Sequence, residues 1–388
     1  MTYALLFALY FVQGLPFGFQ TTALPLLLRE HGASLASIGF LSFLALPWLA
    51  KPLWAPLVDG FGLSRRAWIL PLQAGLALAI ALASELDPDT SGGVTGLLVL
   101  VFLMNLFAAT QDIAVDGLAV DLLGERQLGA GNGAQVVGYK LGMLVGGGLF
   151  VAASAVLPWR ALMFAMSGLV VAVLVAVAAV PVARQAPRRP RQSVRAVVVE
   201  LVGALAGGRA LIVYLITYKV GESLASGVWK LFLLDSGRGK PLIGLLTIIA
   251  MWASIGGSVC GAILAQRLPL VTALWIPSVG RLLPLALQAA VAWVPVSTPV
   301  ILAVSAAENF FGGALTTVVF ALMMSRVDAR IGASHYTALA AVEVAGKYPG
   351  FWLSGILAGA MGYAPLFALA TLLSAVVLLA IPPLRRQP

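Results

Sequence analysis

Asp112 and Asp116, Lys140, Lys219 and Glu222, Glu308, Glu343 and Lys347 are eight ionisable residues set inside stretches that otherwise read as membrane-spanning helix. At roughly 2.5 to 3.5 kcal/mol per charge at a helix centre, eight such groups facing lipid would cost on the order of 20 kcal/mol or more, comparable to a domain's whole folding stability. They must therefore face one another or water. Acids and bases gathered around a wet path are what movement of a solute or a proton through a membrane requires.

Their spacing adds detail. Asn105, Asp112 and Asp116 are seven and four positions apart, which at about 100° per residue places them in a narrow arc of one helix. Two carboxylates one turn apart repel, so one of them is expected to hold a proton near neutral pH, as coupling to a proton gradient demands. Lys219, Glu222, Ser223, Ser226 and Lys230 lie close to one face, where Lys219 and Glu222 can pair within the helix and Lys230 can snorkel outward. Glu343 and Lys347 are four apart in the favourable order and can neutralise one another. Glu308 has no partner nearby in sequence and must be protonated or paired across helices. Lys51 and Arg281 add cations at membrane depth, and the spacing offers no partner for Arg281. Cations slightly outnumber acids in this set, which favours an anionic solute.

The helices that hold these groups follow from composition. The chain has 388 residues, 61% hydrophobic and only 10% charged, far from the quarter or so of charged residues in soluble domains. Apolar runs of about 20 residues recur along it, twice the length of barrel strands and without their alternation, so every span is read as a helix. Twelve are expected, over 3–28, 36–58, 67–84, 93–120, 131–156, 161–182, 209–234, 241–265, 270–292, 296–325, 334–360 and 364–383. The N-terminal run is of span length and lacks a basic n-region and a cleavage site, so it is read as the first helix.

The net charge of +9 does not point to nucleic acid, because the bases fall in alternate loops. With the N-terminus cytoplasmic, thirteen lie inside (Arg65, Arg66, Arg126, Arg184, Arg188, Arg189, Arg191, Arg195, Arg267, Arg326, Arg330, Arg385 and Arg386) and four outside (Arg29, Arg160, Arg238 and Lys240). The positive-inside rule then orients the chain with both termini cytoplasmic. The loop bearing Glu85, Asp87 and Asp89 fits the outer side. Cys260, the single cysteine, excludes an intrachain disulfide.

The Arg- and Pro-rich stretch from Arg184 to Arg195, followed by an amphipathic candidate from Val197 to Leu205, divides the chain. The expected organisation is an N-terminal bundle over 1–183, a cytoplasmic linker over 184–208 and a C-terminal bundle over 209–388. Fragments realign at an offset of about 205 residues: Gly14 with Gly221, Ile38-Gly39 with Ile243-Gly244, Asn105-Leu106-Phe107 with Asn309-Phe310-Phe311, and Gly138-Tyr139-Lys140 with Ala345-Gly346-Lys347. Six helices per half make the repeats parallel, as in major facilitator transporters.

The segment from Ala55 to Arg66, with Asp59, Gly62, Arg65 and Arg66, resembles the major facilitator loop signature of an Asp, a Gly and a basic pair. That resemblance implies a gate in which Asp59, Arg65 and Arg66 latch the inner ends of neighbouring helices. The departures are Ala55 in place of the leading glycine and a longer Asp-to-Arg spacing. Gln13-Gly-Leu-Pro-Phe-Gly18, Lys51-Pro-Leu-Trp-Ala-Pro-Leu-Val-Asp59, Gln111-Asp-Ile-Ala-Val-Asp116, Gly138-Tyr-Lys-Leu-Gly142 and Tyr218-Lys-Val-Gly-Glu222 together resemble the branch that holds AmpG-type muropeptide permeases and acetyl-coenzyme A transporters. The His335-Tyr336 to Lys347 segment and the absence of two extra C-terminal spans are closer to the short, acetyl-coenzyme A transporter-like members. Both implied solutes are bulky anions.

These readings converge on an all-α membrane protein of the major facilitator fold, with twelve transmembrane helices in two pseudo-symmetric six-helix bundles. The expected activity is secondary transport of a hydrophilic organic anion, acetyl-coenzyme A-like or muropeptide-like, by alternating access with proton coupling. Asp112, Asp116, Glu222 and Glu308 are the candidate proton sites. Gln13, Gln20, Asn105, Lys140, Lys219, Asn309, Glu343 and Lys347 are the candidate substrate contacts. The expected partners are the lipid bilayer, a small anion and protons, with no nucleic acid, no cofactor and no metal, in a monomer of the bacterial inner membrane. A lipid scramblase or non-transporting sensor is the rival reading, and neither would show saturable uptake. A membrane-embedded enzyme using Asp112, Asp116 and Asp121 is more remote, since Asp121 lies about 140° round the helix from Asp116 and no His or Cys completes a metal site. No P-loop spacing occurs, so a gradient rather than ATP is expected to supply the energy.

Overall fold

The computed structural model describes residues 1–30, 40–86, 90–180, 191–238 and 240–386, all helix and short connections. Asp87, Asp89, Arg184, Arg188, Arg189 and the Ile38-Gly39 repeat fragment lie outside the described residues, as do the side chains of Arg29, Lys240 and Arg386. Among the described residues, ten helices are long and apolar enough to cross a membrane. Phe43–Leu53 is a shorter apolar helix, and Gly332–Met361 is long enough but carries His335, Glu343 and Lys347. Counted with these two, the architecture is compatible with twelve spans.

Departures from regular helix are local and have causes in sequence. The first span runs Thr2–Gly18, widens to a π-turn over Phe19–Ala23 and continues as Leu24–Glu30. The second is broken into Leu46–Ala50, a 3-10 turn Lys51–Leu53 and Ala55–Gly60, with a proline at the start of each piece. Pro47, Pro52 and Pro56 have no N–H to donate, so the ladder is interrupted there, and Lys51 is left buried at one of the breaks. The seventh span ends as Arg209–Thr217 and restarts as Val220–Asp235, which puts Lys219 at the joint. Gly62 adopts a left-handed φ of 67° in the turn between the second and third spans, a conformation open to glycine at no steric cost, and the turn brings Asp59 back towards Arg65.

Contacts divide the chain into two units. The first comprises Met1–Leu123, Ala134–Val202 and Val327–Thr337, and the second Gly124–Gly133, Gly203–Arg326 and Ala338–Pro388. Short segments at 124–133 and 327–337 thus group with the opposite half of the sequence. The linker contains the helix Val194–Gly207, somewhat longer than the amphipathic candidate, and the division falls within it.

In the first unit, Leu15, Phe19, Leu76, Ile80, Met104 and Met163 belong to one buried core. In the second, Trp229, Phe232, Leu285, Leu366 and Phe367 form its counterpart. Corresponding helices cross closely in both. A Cβ at Gly142 of the fifth span would lie 2.0 Å from the Phe11 carbonyl oxygen of the first, and one at Gly346 of the eleventh would lie 2.6 Å from the Ile216 carbonyl of the seventh. Only a missing side chain permits such approach, the common device of helix packing in lipid. The Gly14 and Gly221 pairing is less equivalent, since Gly14 meets Tyr139 on the fifth span whereas Gly221 meets Ala370 and Ser374 on the twelfth. Large apolar side chains such as Trp352, 71% exposed, and Leu379, 76% exposed, stand on the surface. That is the reverse of a water-soluble protein and suits lipid contact.

Candidate transport site and gate

Each unit holds its own assembly of buried charge. In the first, Asp112 and Asp116 share the fourth helix, Ser91–Leu122, and both are buried. Their partners differ in kind. Lys51 forms a salt bridge with Asp112 and also lies over the Trp48 ring, 5.6 Å from its centroid. Asp116 accepts from the Tyr10 hydroxyl at 2.6 Å and, at the limit of hydrogen bonding, from the Gln135 amide at 3.5 Å. Tyr336 in turn donates to the Gln135 oxygen at 3.3 Å. One carboxylate has thus taken the lysine, while its neighbour one turn away is held by neutral donors.

Around this pair, the Trp48 indole donates to the Asn105 oxygen at 2.9 Å, and the Asn105 amide bonds back to the Val101 carbonyl. Gln13, on the first helix, is fully buried with neither amide atom partnered among the described residues, and Gln111 is in the same condition. Such groups cost free energy unless water or a ligand completes them. Gln20 is tied to the start of the second span through the Leu41 carbonyl at 2.9 Å. Lys140 lies half-buried in the fifth span.

The second unit carries the second assembly. Arg281, 3% exposed, reaches Glu222 at 2.5 Å and Glu308 at 3.0 Å. Asn309 donates to the other Glu308 oxygen at 3.0 Å and to the Ser305 carbonyl at 2.9 Å, the same backward bond that its repeat partner Asn105 makes. Glu343 accepts from the Tyr218 hydroxyl at 2.6 Å, pairs with Lys347 at 2.6 Å and lies 3.6 Å from Lys219. Three acids thus meet three bases.

This corrects one expectation. Lys219 and Glu222 do not form the intrahelical pair that their spacing allows, because the helix is interrupted before Val220. Lys219 is directed to Glu343, and Glu222 to Arg281. Lys230 donates to the Thr247 hydroxyl at 2.9 Å at an exposed position, away from either assembly's contacts. Tyr10, Tyr218 and Gln135 were not anticipated. Their only sequence signal is a hydrogen-bonding group in an apolar run, shared with many aromatic residues at no site at all.

A third constellation joins the loop between the second and third spans to the start of the eleventh. Arg65 donates to Asp59 at 2.7 Å and to Asp121 at 3.2 Å. The second Asp59 oxygen accepts from the Ser334 amide at 2.8 Å and the Ser334 hydroxyl at 2.7 Å. A carboxylate at that place satisfies an otherwise orphan donor in the first turn of Gly332–Met361 and complements the helix dipole. Arg66 does not join it; its guanidinium donates to the Ala178 carbonyl at 2.5 Å, at the end of the sixth span. Asp121 is likewise committed to Arg65. No group of three or more His, Cys, Asp or Glu suited to a metal occurs among the described residues.

Comparison with known proteins agrees with this architecture. Residues 2–156 match the family model described as acetyl-coenzyme A transporter 1. The anhydromuropeptide permease of Escherichia coli is 29% identical over 391 residues, covering 97% of this chain and 78% of that protein. The crystal structure of the human organic anion transporter TETRAN superposes with a TM-score of 0.76 at 14% identity, over 98% of each chain. That of the major facilitator transporter FucP in its outward conformation does so with a TM-score of 0.71 at 14% identity, over 99% of this chain and 98% of that one. The protein is an integral, multi-pass membrane protein with the major facilitator fold. In sequence it is similar to AmpG-type permeases over nearly its whole length and to the acetyl-coenzyme A transporter family over residues 2–156.

Proposed function

We propose that this protein is a secondary transporter that moves a hydrophilic organic anion by alternating access, driven by the proton gradient, in a bacterial inner membrane with both termini cytoplasmic. The observation that carries the reading is the unequal treatment of Asp112 and Asp116. One lysine serves two buried carboxylates a turn apart, and Asp116 is held by hydroxyl and amide groups that can donate to a carboxylate or accept from a carboxylic acid. Asp116 is therefore the proton carrier, and Asp112 is the fixed counter-ion of Lys51.

In the second unit, Glu222 and Glu308 share Arg281, so protonation of either leaves the other with a full cation and the pair can relay a proton. Lys219 and Lys347 both address Glu343. An incoming carboxylate or phosphate competes for these ammonium groups, which makes both lysines the anion contacts of this unit, with Asn309 supplying a hydrogen bond; Gln13, Asn105 and Lys140 are the candidate solute contacts of the first unit. Asp59 and Arg65 serve as the gate latch; the commitment of Arg66 to the sixth span makes it a brace.

The names of the relatives supply two solutes to test, acetyl-coenzyme A and anhydromuropeptides, beside simpler organic acids. Purified protein in proteoliposomes, given an imposed pH gradient, is expected to accumulate at least one of these saturably as a monomer. Lipid scrambling without saturable uptake of any water-soluble anion would overturn the reading.

A further inference from the structure

A cavity of about 640 Å³ opens in the second unit and shares no residue with either charge assembly. Glu125, Arg126, Gln266, Thr272, Ser325, Arg326 and Arg385 supply its polar lining, so among the described residues three guanidinium groups meet a single carboxylate. Arg326 is fixed in place, donating to the Leu384 carbonyl at 3.0 Å. That bond holds the turn Pro382–Arg386 against the end of the tenth span and so carries Arg385 to the cavity. The ninth helix, Leu270–Trp293, starts at the same wall with Pro269 before it and no side chain capping its terminus, so the dipole adds to the positive field. Arginines gathered in a concavity repel unless an anion joins them, and their planar donors match phosphate oxygens two at a time.

We propose that this cavity binds a phosphate ester, separately from the transported solute. A basic pocket between helices is suited to an anionic lipid headgroup, and all three arginines are among the bases that loop charge assigns to the inner side. A free phosphate compound presents the same oxygens, and the two sources separate by experiment.

The full-length protein, purified and stripped of lipid in neutral detergent, is titrated with phosphatidylglycerol, phosphatidylcholine or inorganic phosphate, and binding is read by native mass spectrometry and thermal unfolding. Phosphatidylglycerol is expected to bind and to raise the unfolding temperature, with phosphatidylcholine without effect. Loss of two charged contacts in Arg126→Gln/Arg385→Gln weakens binding by about tenfold or more. This variant spares Arg326 and its bond to Leu384. Arg209→Gln removes one exposed charge outside the cavity and leaves binding unchanged. Saturable binding of inorganic phosphate, lost in the same double variant, supports the site with a free phosphate as its source. Binding of neither probe, equal binding of phosphatidylcholine, or equal weakening by Arg209→Gln overturns the proposal.

Discussion

Arg281 places one guanidinium nitrogen 2.5 Å from Glu222 and 3.0 Å from Glu308, so a cation on the ninth span joins carboxylates on the seventh and tenth. Arg281→Gln would leave Glu308 buried, and Glu222 partly buried, without the guanidinium they share, and breaking a buried pair in this way costs about 3–5 kcal/mol. Glu308→Gln keeps a hydrogen-bond acceptor for Arg281 and should cost less. The double variant Arg281→Gln/Glu308→Gln should recover part of the loss, since it removes one of the stranded acids. Thermal unfolding of the four proteins in detergent measures the coupling directly, and strictly additive losses would deny it.

The crossing of the first and fifth spans makes a second prediction. A Cβ at Gly142 would sit 2.0 Å from a backbone oxygen of Phe11, whereas one at Gly168 meets nothing within 4 Å. Gly142→Ala forces two helix backbones apart and should abolish folding or cost several kcal/mol. Gly168→Ala sits in a helix interior with room and should be neutral or gain about 0.5–1 kcal/mol. Yield of monodisperse protein and its unfolding temperature separate the two.

The sequence carried the helices and their polar contents because both are local: a span is a run of apolar residues, and Glu343 with Lys347 is an i,i+4 pair. The partners of Asp116 and Glu222 were not legible, because Tyr10 is 106 positions from Asp116 and Arg281 is 59 positions (281 minus 222) from Glu222. Such contacts depend on how whole helices pack. Lys219 shows a different failure: its spacing to Glu222 is right for a helix, but Lys219 sits at the joint, and the helix that holds Glu222 begins only at Val220. The pairing of Asp59 with Ser334 was hidden for the first reason, although the loop motif around Asp59 indicated that a latch was present.

Asp328 offers a pH test outside the spans. Its carboxylate accepts from the Arg330 backbone amide at 2.9 Å and from the guanidinium at 2.7 Å, and these bonds hold its carboxyl below the ordinary carboxylate range. A lowered folded value means that the stabilisation is complete above the unfolded value, near pH 3.9, and is lost as pH falls through the lowered one. Screening keeps the effect small at this exposed site. Hydrogen exchange of the 326–332 segment should therefore lose protection on acidification below about pH 4, and Asp328→Asn should remove that pH dependence. A segment whose exchange, corrected for intrinsic rate, ignores both changes would show that the pair does not order this turn.

The decisive comparison is between Asp112→Asn and Asp116→Asn. Asp112→Asn strands Lys51 as a buried cation and should destabilise the fold by about 3–5 kcal/mol, with transport lost alongside stability. Asp116→Asn retains an oxygen for the Tyr10 hydroxyl, strands no cation that bonds to it, and should fold with an unfolding temperature near that of the parent. It cannot take up a proton. The variant is therefore expected to keep gradient-independent exchange of labelled solute between the two sides of a proteoliposome, while losing accumulation driven by an inward proton gradient. Stable Asp116→Asn protein that still accumulates solute against its gradient would move the proton elsewhere, and the Glu222 and Glu308 pair on Arg281 would be the place to look next.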